Sequence, residues 1–226
     1  MIYSSRWIQR LLHSMKLATF TLLPVSLATS CFWQNESSHD PKVSIAPPLP
    51  DNIPTNGHTM GVPTAPVKVV EWADYQCPFC GAFARTVQPE LVKAYVATGK
   101  ICFEYQDFAF LGPESVLAAE AADCAMDQGN FWQYHDSLFA NQGAENSGAF
   151  SPERLDEIAA EMGLDTSRFD QCLTSGSHRD EVLALRQDGI EHGIHGTPSL
   201  IVNGQKIVYQ GWDSLQYAIE AALAAP

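Results

Sequence analysis

Residues 67–80 read Val67-Lys-Val-Val-Glu-Trp-Ala-Asp-Tyr-Gln-Cys77-Pro-Phe-Cys80, and this stretch decides the fold. Val67–Tyr75 is rich in β-branched and aromatic residues, which predicts a strand. Two cysteines follow at once. Beyond them, apolar side chains recur every four residues and predict a helix with one buried stripe: Phe83, Val87, Leu91 and Tyr95. The two cysteines are therefore expected where a strand ends and a helix begins.

The flanking sequence extends this unit to an α/β fold. Pro89 should kink the first helix, and residues 101–110 predict a second strand, which gives β-α-β with a parallel pair. Helical patterns then fill residues 113–188. A hairpin with an Asn203-Gly204 turn and a closing helix over residues 213–224, capped by Asp213, complete the chain. The order β-α-β, helices, β-β-α predicts one mixed sheet with an inserted helical domain.

The spacing Cys77-x-x-Cys80 predicts redox chemistry. A thiolate at a helix N-terminus faces unpaired backbone N–H groups and the positive end of the helix dipole, so its pKa falls below the free value of about 8.5. Pro78 suits the first helical turn. Two alternatives stay open: an ordinary structural disulfide, and a metal site that Cys77 and Cys80 would complete with His192 and His195.

These motifs together resemble the DsbA-like thiol–disulfide oxidoreductases of the thioredoxin-fold superfamily. The resemblance rests on the Glu71–Cys80 stretch, on Gly196-Thr197-Pro198 before a strand, and on the Asn203-Gly204 turn; it covers about residues 61–226. It implies a thioredoxin fold split by a helical insertion, and disulfide exchange with protein substrates outside the cytoplasm. It implies no bound cofactor.

The resemblance also assigns the cysteine pair and the residues facing it. Cys77 would be the exposed attacking thiol and Cys80 its buried partner. Pro198 would be a cis proline opposite the pair, and Thr197 would flank the sulfurs.

Further residues concern the redox potential of the pair and proton transfer to it. Pro78 and Phe79 fill the dipeptide that sets the redox potential in this family. Phe79 stands where the strongest oxidants often have a histidine, so the direction of the net reaction is open. Glu71 matches a buried acid of the family that could shuttle protons for Cys80; a solvent-facing acid is the alternative. His195 could approach the sulfurs, or have no role.

Three cysteines lie outside the motif and the N-terminal segment. The resemblance implies a structural disulfide between Cys124 and Cys172, the alternative being two buried free thiols. Cys102, on the second predicted strand, is expected to be a buried apolar residue.

The N-terminal residues predict export. Residues 1–30 form a basic segment followed by an uncharged apolar one, typical of a signal peptide, and Ala28-Thr-Ser-Cys31 resembles a bacterial lipobox. Cys31 would then be lipidated and anchor the protein to a membrane. Ordinary cleavage near Ser30 and an uncleaved anchor remain alternatives. Residues 31–60, which are rich in proline, predict an extended tether.

The charge of the chain is strongly acidic. The net charge is −13, and it becomes −16 if residues 1–30 are removed, because they hold three of the 13 basic residues and none of the 26 acidic ones. Such a surface repels phosphates, which excludes nucleic acid as a partner.

The expected domains are a signal peptide (1–30), a tether (31–60), a thioredoxin-fold domain in two parts (61–112 and 189–226) and a helical insertion (113–188). The predicted function is formation of disulfides in exported, partly folded proteins by a monomeric, extracytoplasmic, lipid-anchored enzyme that a membrane redox partner reoxidises. A reductase or isomerase of the same fold and a metal carrier are the alternatives.

Overall fold

The computed structural model describes residues 42–225. The predicted signal peptide and the lipidation site Cys31 lie outside the described residues. Within residues 42–225, no helix is long and apolar enough to cross a lipid bilayer.

The described chain is a six-stranded mixed sheet flanked by helices. The strands are β1 (Thr55–Asn56), β2 (Thr59–Met60), β3 (Val67–Ala73), β4 (Ile101–Asp107), β5 (Ser199–Val202) and β6 (Gln205–Lys206). Their order across the sheet is β1-β2-β4-β3-β5-β6. β3 and β4 are parallel, whereas β5 is antiparallel to β3. The prediction of one mixed α/β sheet is confirmed, and β3, which leads into the cysteine motif, lies between β4 and β5.

Helix α1 (Pro78–Thr86) starts directly at the cysteine motif, and Pro89 interrupts its continuation. The chain turns through Val87, whose φ is −100°, into α2 (Gln88–Leu91) and a π-helical turn (Val92–Val96). Because proline has no N–H and its ring crowds the preceding turn, this break is the kink that the sequence predicts.

The helical insertion consists of five helices after β4. They are α3 (Pro113–Met126), α4 (Phe131–Ala140), α5 (Pro152–Glu161), α6 (Thr166–Ser175) and α7 (Arg179–Glu191). Ser151 caps α5, since its side chain accepts a hydrogen bond from the Arg154 N–H. Helix α7 continues three residues past the expected boundary at residue 188. The disulfide between Cys124 and Cys172 joins α3 to α6.

Two local predictions are wrong. Helix α8 (Trp212–Ala224) is preceded by Gly211 as its N-cap, with φ of 103°, and Asp213 lies within the first turn. The described part of the tether is also not free. Val43 and Ile53 are buried, and Ser44 and Ala46 donate backbone hydrogen bonds to Asn141 and Ser137 of the insertion. Proline prevents this segment from forming a helix, but its apolar side chains still gain by burial.

Candidate active site

The cysteine motif lies at the carboxyl end of β3. Cys77 is the N-cap of α1, and its own N–H donates to the Asp74 carbonyl oxygen at 2.9 Å. Cys77 and Cys80 are free thiols, 5% and 0% exposed respectively. Both thiols are therefore buried, Cys80 more completely than Cys77.

A buried carboxylate fixes the turn between strand and helix. The side chain of Asp74 accepts hydrogen bonds from the Gln76 and Phe110 N–H groups, each at 2.8 Å, from the Leu111 N–H at 3.0 Å and from the Ser115 hydroxyl at 2.7 Å. Four donors satisfy this carboxylate in the interior, as a buried charge requires. Asp74 thus ties the turn before Cys77 to the chain that follows β4.

The Thr197–Pro198 peptide bond is cis, as the resemblance implies. Cys77 Sγ lies 3.4 Å from the Thr197 carbonyl oxygen and can donate to it. The Thr197 hydroxyl oxygen is buried, and it has no hydrogen-bond partner while Cys77 is a neutral thiol. It can donate to the thiolate once Cys77 ionises, which is one of the interactions that favour ionisation.

The two thiols have opposite pKa shifts. The pKa of Cys77 is lowered to about 6, first by a hydrogen bond from the Cys80 thiol and then by Thr197 and the N–H groups of Cys80 and Phe79, against an opposing effect of burial. Burial raises the pKa of Cys80 well above its ordinary value. The backbone donors belong to the first turn of α1, where the helix dipole also favours a negative charge. Cys77 is therefore the thiol suited to exist as a thiolate.

Glu71 lies beneath the pair in the central strand. It is 2% exposed, so the solvent-facing alternative does not hold, and it shares a buried face of β3 with Val67, Val69 and Ala73. Burial is the main cause that raises its pKa well above the ordinary value, followed by the charge of Cys77. A carboxyl group with a raised pKa therefore lies within electrostatic range of both sulfurs.

An apolar groove of about 720 Å³ borders the pair. Phe79 is 72% exposed at its edge, and Pro198 lies opposite. The remaining large lining side chains come from α1, the segment after β6 and the start of α8: Phe83, Val87, Tyr209 and Trp212. Tyr209 and Trp212 have no sequence signal that assigns them to this groove, because only the packing of the last helix brings them there.

The histidines of the metal-carrier alternative do not join the cysteines. His195 is exposed, and His192 bonds within its own helix, 2.9 Å from the Asp188 carbonyl oxygen. Within residues 42–225, the two groups with metal-ligand spacing are His58 with Asp107 and Asp123, and His178 with the disulfide-bonded Cys124 and Cys172. Neither contains Cys77 or Cys80, so the metal-carrier alternative is not supported.

A thioredoxin fold with a Cys-x-x-Cys pair at a helix N-terminus, facing a cis proline, defines a thiol–disulfide exchange protein. The model of the thioredoxin family matches residues 54–221. The chain is 31% identical over 169 residues to a probable disulfide bond formation protein D of Bacillus anthracis, covering 73% of this chain and 77% of that one. Disulfide bond formation protein D of Bacillus subtilis is 27% identical over 168 residues, with coverage of 73% and 76%.

A solved structure shows similarity to the same kind of protein. The crystal structure of oxidised BdbD from Bacillus subtilis aligns with a TM-score of 0.70 and 25% identity, covering 82% of this chain and 100% of that one. The chain belongs to the thioredoxin family and, within it, to the DsbA-like protein disulfide oxidoreductases.

Proposed function

We propose that this enzyme works as an oxidase, which forms disulfides in exported proteins through the Cys77–Cys80 pair. The finding that carries the proposal is the similarity to proteins named for disulfide bond formation, and the pKa of Cys77, lowered to about 6, agrees with a stabilised thiolate. Stabilising the Cys77 thiolate stabilises the reduced pair, and a pair that is more stable when reduced is a stronger oxidant.

The reaction takes two exchanges. A substrate thiolate attacks Cys77 Sγ, the Cys77–Cys80 bond breaks, and Cys80 leaves as a thiolate. Because the pKa of Cys80 is raised, this thiolate takes up a proton, for which the buried Glu71 carboxyl is the donor. A second substrate thiolate then attacks the substrate sulfur of the mixed disulfide and releases the Cys77 thiolate. The substrate loses two electrons, and the enzyme gains them.

The groove beside the pair suggests the kind of substrate. The exposed ring of Phe79 and the apolar wall formed with Pro198 and Trp212 suit an extended chain that still exposes apolar side chains. Partly folded exported proteins have this property. Pro78 completes the dipeptide that tunes the pair.

The reduction potential tests the direction of the reaction. The pair is equilibrated in glutathione buffers of known potential, and the reduced fraction is measured by alkylation. A value close to about −120 mV supports the oxidase, whereas a value close to about −270 mV supports a reductase and overturns the proposal. A Cys77→Ala variant should lose turnover, and retained turnover would contradict the mechanism.

The location is proposed to be extracytoplasmic, through export by residues 1–30 and lipidation of Cys31. The Cys124–Cys172 disulfide supports an oxidising compartment. There the enzyme would act as a monomer, reoxidised by a membrane partner. Fractionation of cells that express a Cys31→Ser variant tests the anchor: release from the membrane supports lipidation, and unchanged membrane association contradicts it.

A further inference from the structure

We propose that Gln142, which belongs to the helical insertion, is a positioning residue for the catalytic thiol of Cys77. Gln142 lies two residues after α4, 65 positions from Cys77 in the chain. Its Nε2 donates to the carbonyl oxygens of Tyr75 at 2.8 Å and of Cys77 at 2.9 Å. The two N–H groups of one amide thus hold the backbone on both sides of Gln76.

The first helix is shaped around this side chain. A Cβ atom at Gly81 would collide with Gln142 Oε1, and would lie 2.9 Å from Gln142 Cδ and 2.8 Å from Arg85 Nη1. Glycine is a poor residue inside a helix, so a close approach of another group gives a physical reason for its presence in α1. Arg85 Nη1 supports the same arrangement, since it lies 2.7 Å from the Phe139 carbonyl oxygen and 3.5 Å from Gln142 Oε1.

The position of the Cys77 thiol depends on how the Cys77 carbonyl group is held. This carbonyl accepts the first hydrogen bond of α1, from the Gly81 N–H at 3.0 Å, as well as the bond from Gln142. The orientation of this peptide determines where Cys77 Sγ lies relative to the N–H groups of Phe79 and Cys80, which favour the thiolate. Removing the Gln142 donors frees this backbone, so that Cys77 Sγ is held less well against those N–H groups.

The test compares Gln142→Met with Gln133→Met. Gln133 is a matched control, because it is also half-buried and its Nε2 donates to a backbone carbonyl, that of Ala46 at 3.0 Å, away from the cysteine turn. In reduced protein, the thiolate absorbance of Cys77 is followed against pH, and the pair is equilibrated with glutathione.

We expect Gln142→Met to raise the Cys77 pKa by about half to one unit, and to shift the glutathione equilibrium roughly three- to tenfold toward the oxidised enzyme. Gln133→Met should change neither. Gln142→Glu keeps the size of the side chain but replaces both donors by a charge, and should raise the Cys77 pKa further. Unchanged titration in both Gln142 variants would overturn the proposal.

A second experiment tests how Gln142 is held. Gly81→Ala should destabilise the wild-type protein more than a Gln142→Ser variant, in which only the contact with Arg85 Nη1 remains; equal effects in both backgrounds would contradict the contact with Gln142. The inference rests on the proposed function only in taking Cys77 as the attacking thiol. The wild-type potential tests the direction of the reaction, whereas the difference between the Gln142 and Gln133 variants tests the positioning role.

Discussion

Removal of the Cys124–Cys172 disulfide should cost this protein much of its stability. The bond closes a loop with a sequence separation of 48 residues. In the chain-entropy model, opening a loop of this length costs about 4 kcal/mol in the free energy of unfolding. For a chain of this size, that loss corresponds to a fall in melting temperature of about 8–16 °C. The bond also joins α3 to α6, so its loss loosens the insertion that carries Gln142.

The measurement is urea unfolding of a Cys124→Ala, Cys172→Ala double variant beside the wild type. Variants serve better than a reductant, because a reductant would also open the Cys77–Cys80 pair. Cys102→Ala is the matched control: Cys102 is buried but free, so this variant should lose far less. A double variant that loses less than about 1 kcal/mol would refute the reasoning that the closed loop restricts the unfolded chain.

Three further predictions concern the active site. Because the Cys77 pKa is about 6 in the folded protein against 9.0 for a free thiol, thiolate formation stabilises the reduced fold fully above about pH 9. This contribution is lost as pH falls toward 6. Urea unfolding should therefore show that the free energy of unfolding depends more steeply on pH in reduced wild type than in Cys77→Ser. Parallel pH profiles of the two proteins would contradict the prediction. The pKa of Glu71 is raised in the fold, so its contribution is present at low pH and lost as pH rises. Glu71→Gln should therefore become more stable than wild type as pH rises, and it should slow substrate oxidation. If the free energy of unfolding of the two proteins depends on pH in the same way, Glu71 is not a buried titrating carboxyl. Phe79→Ala should change stability by no more than about 0.5 kcal/mol, since the ring is 72% exposed. It should slow oxidation of an unfolded protein more than oxidation of glutathione. Equal effects on both substrates would show that Phe79 does not contact the protein substrate.

Local patterns predicted the central elements well. The β-branched run predicted as a strand over Val67–Tyr75 formed β3, which ends two residues earlier at Ala73, and the cysteines fell at the N-terminus of α1, because both features depend on neighbouring residues alone. The break at Pro89 and the cap at Ser151 are likewise local effects of a missing N–H and an available side-chain acceptor. The tether prediction failed for its described part, since composition does not show that Val43 and Ile53 find an apolar surface to cover.

The sequence by itself determined the chemistry of this protein: two cysteines at helix spacing, an acid on the buried face of the preceding strand, and a Thr-Pro pair before a hairpin. The tertiary structure decided what surrounds them. Gln142 and Asp74 hold the cysteine turn through partners 36 to 67 residues away. Such contacts depend on the course of loops and on how the insertion packs, and no local period or propensity encodes them. The reactivity of Cys77 therefore arises from a local motif and is adjusted by contacts that only the folded chain creates.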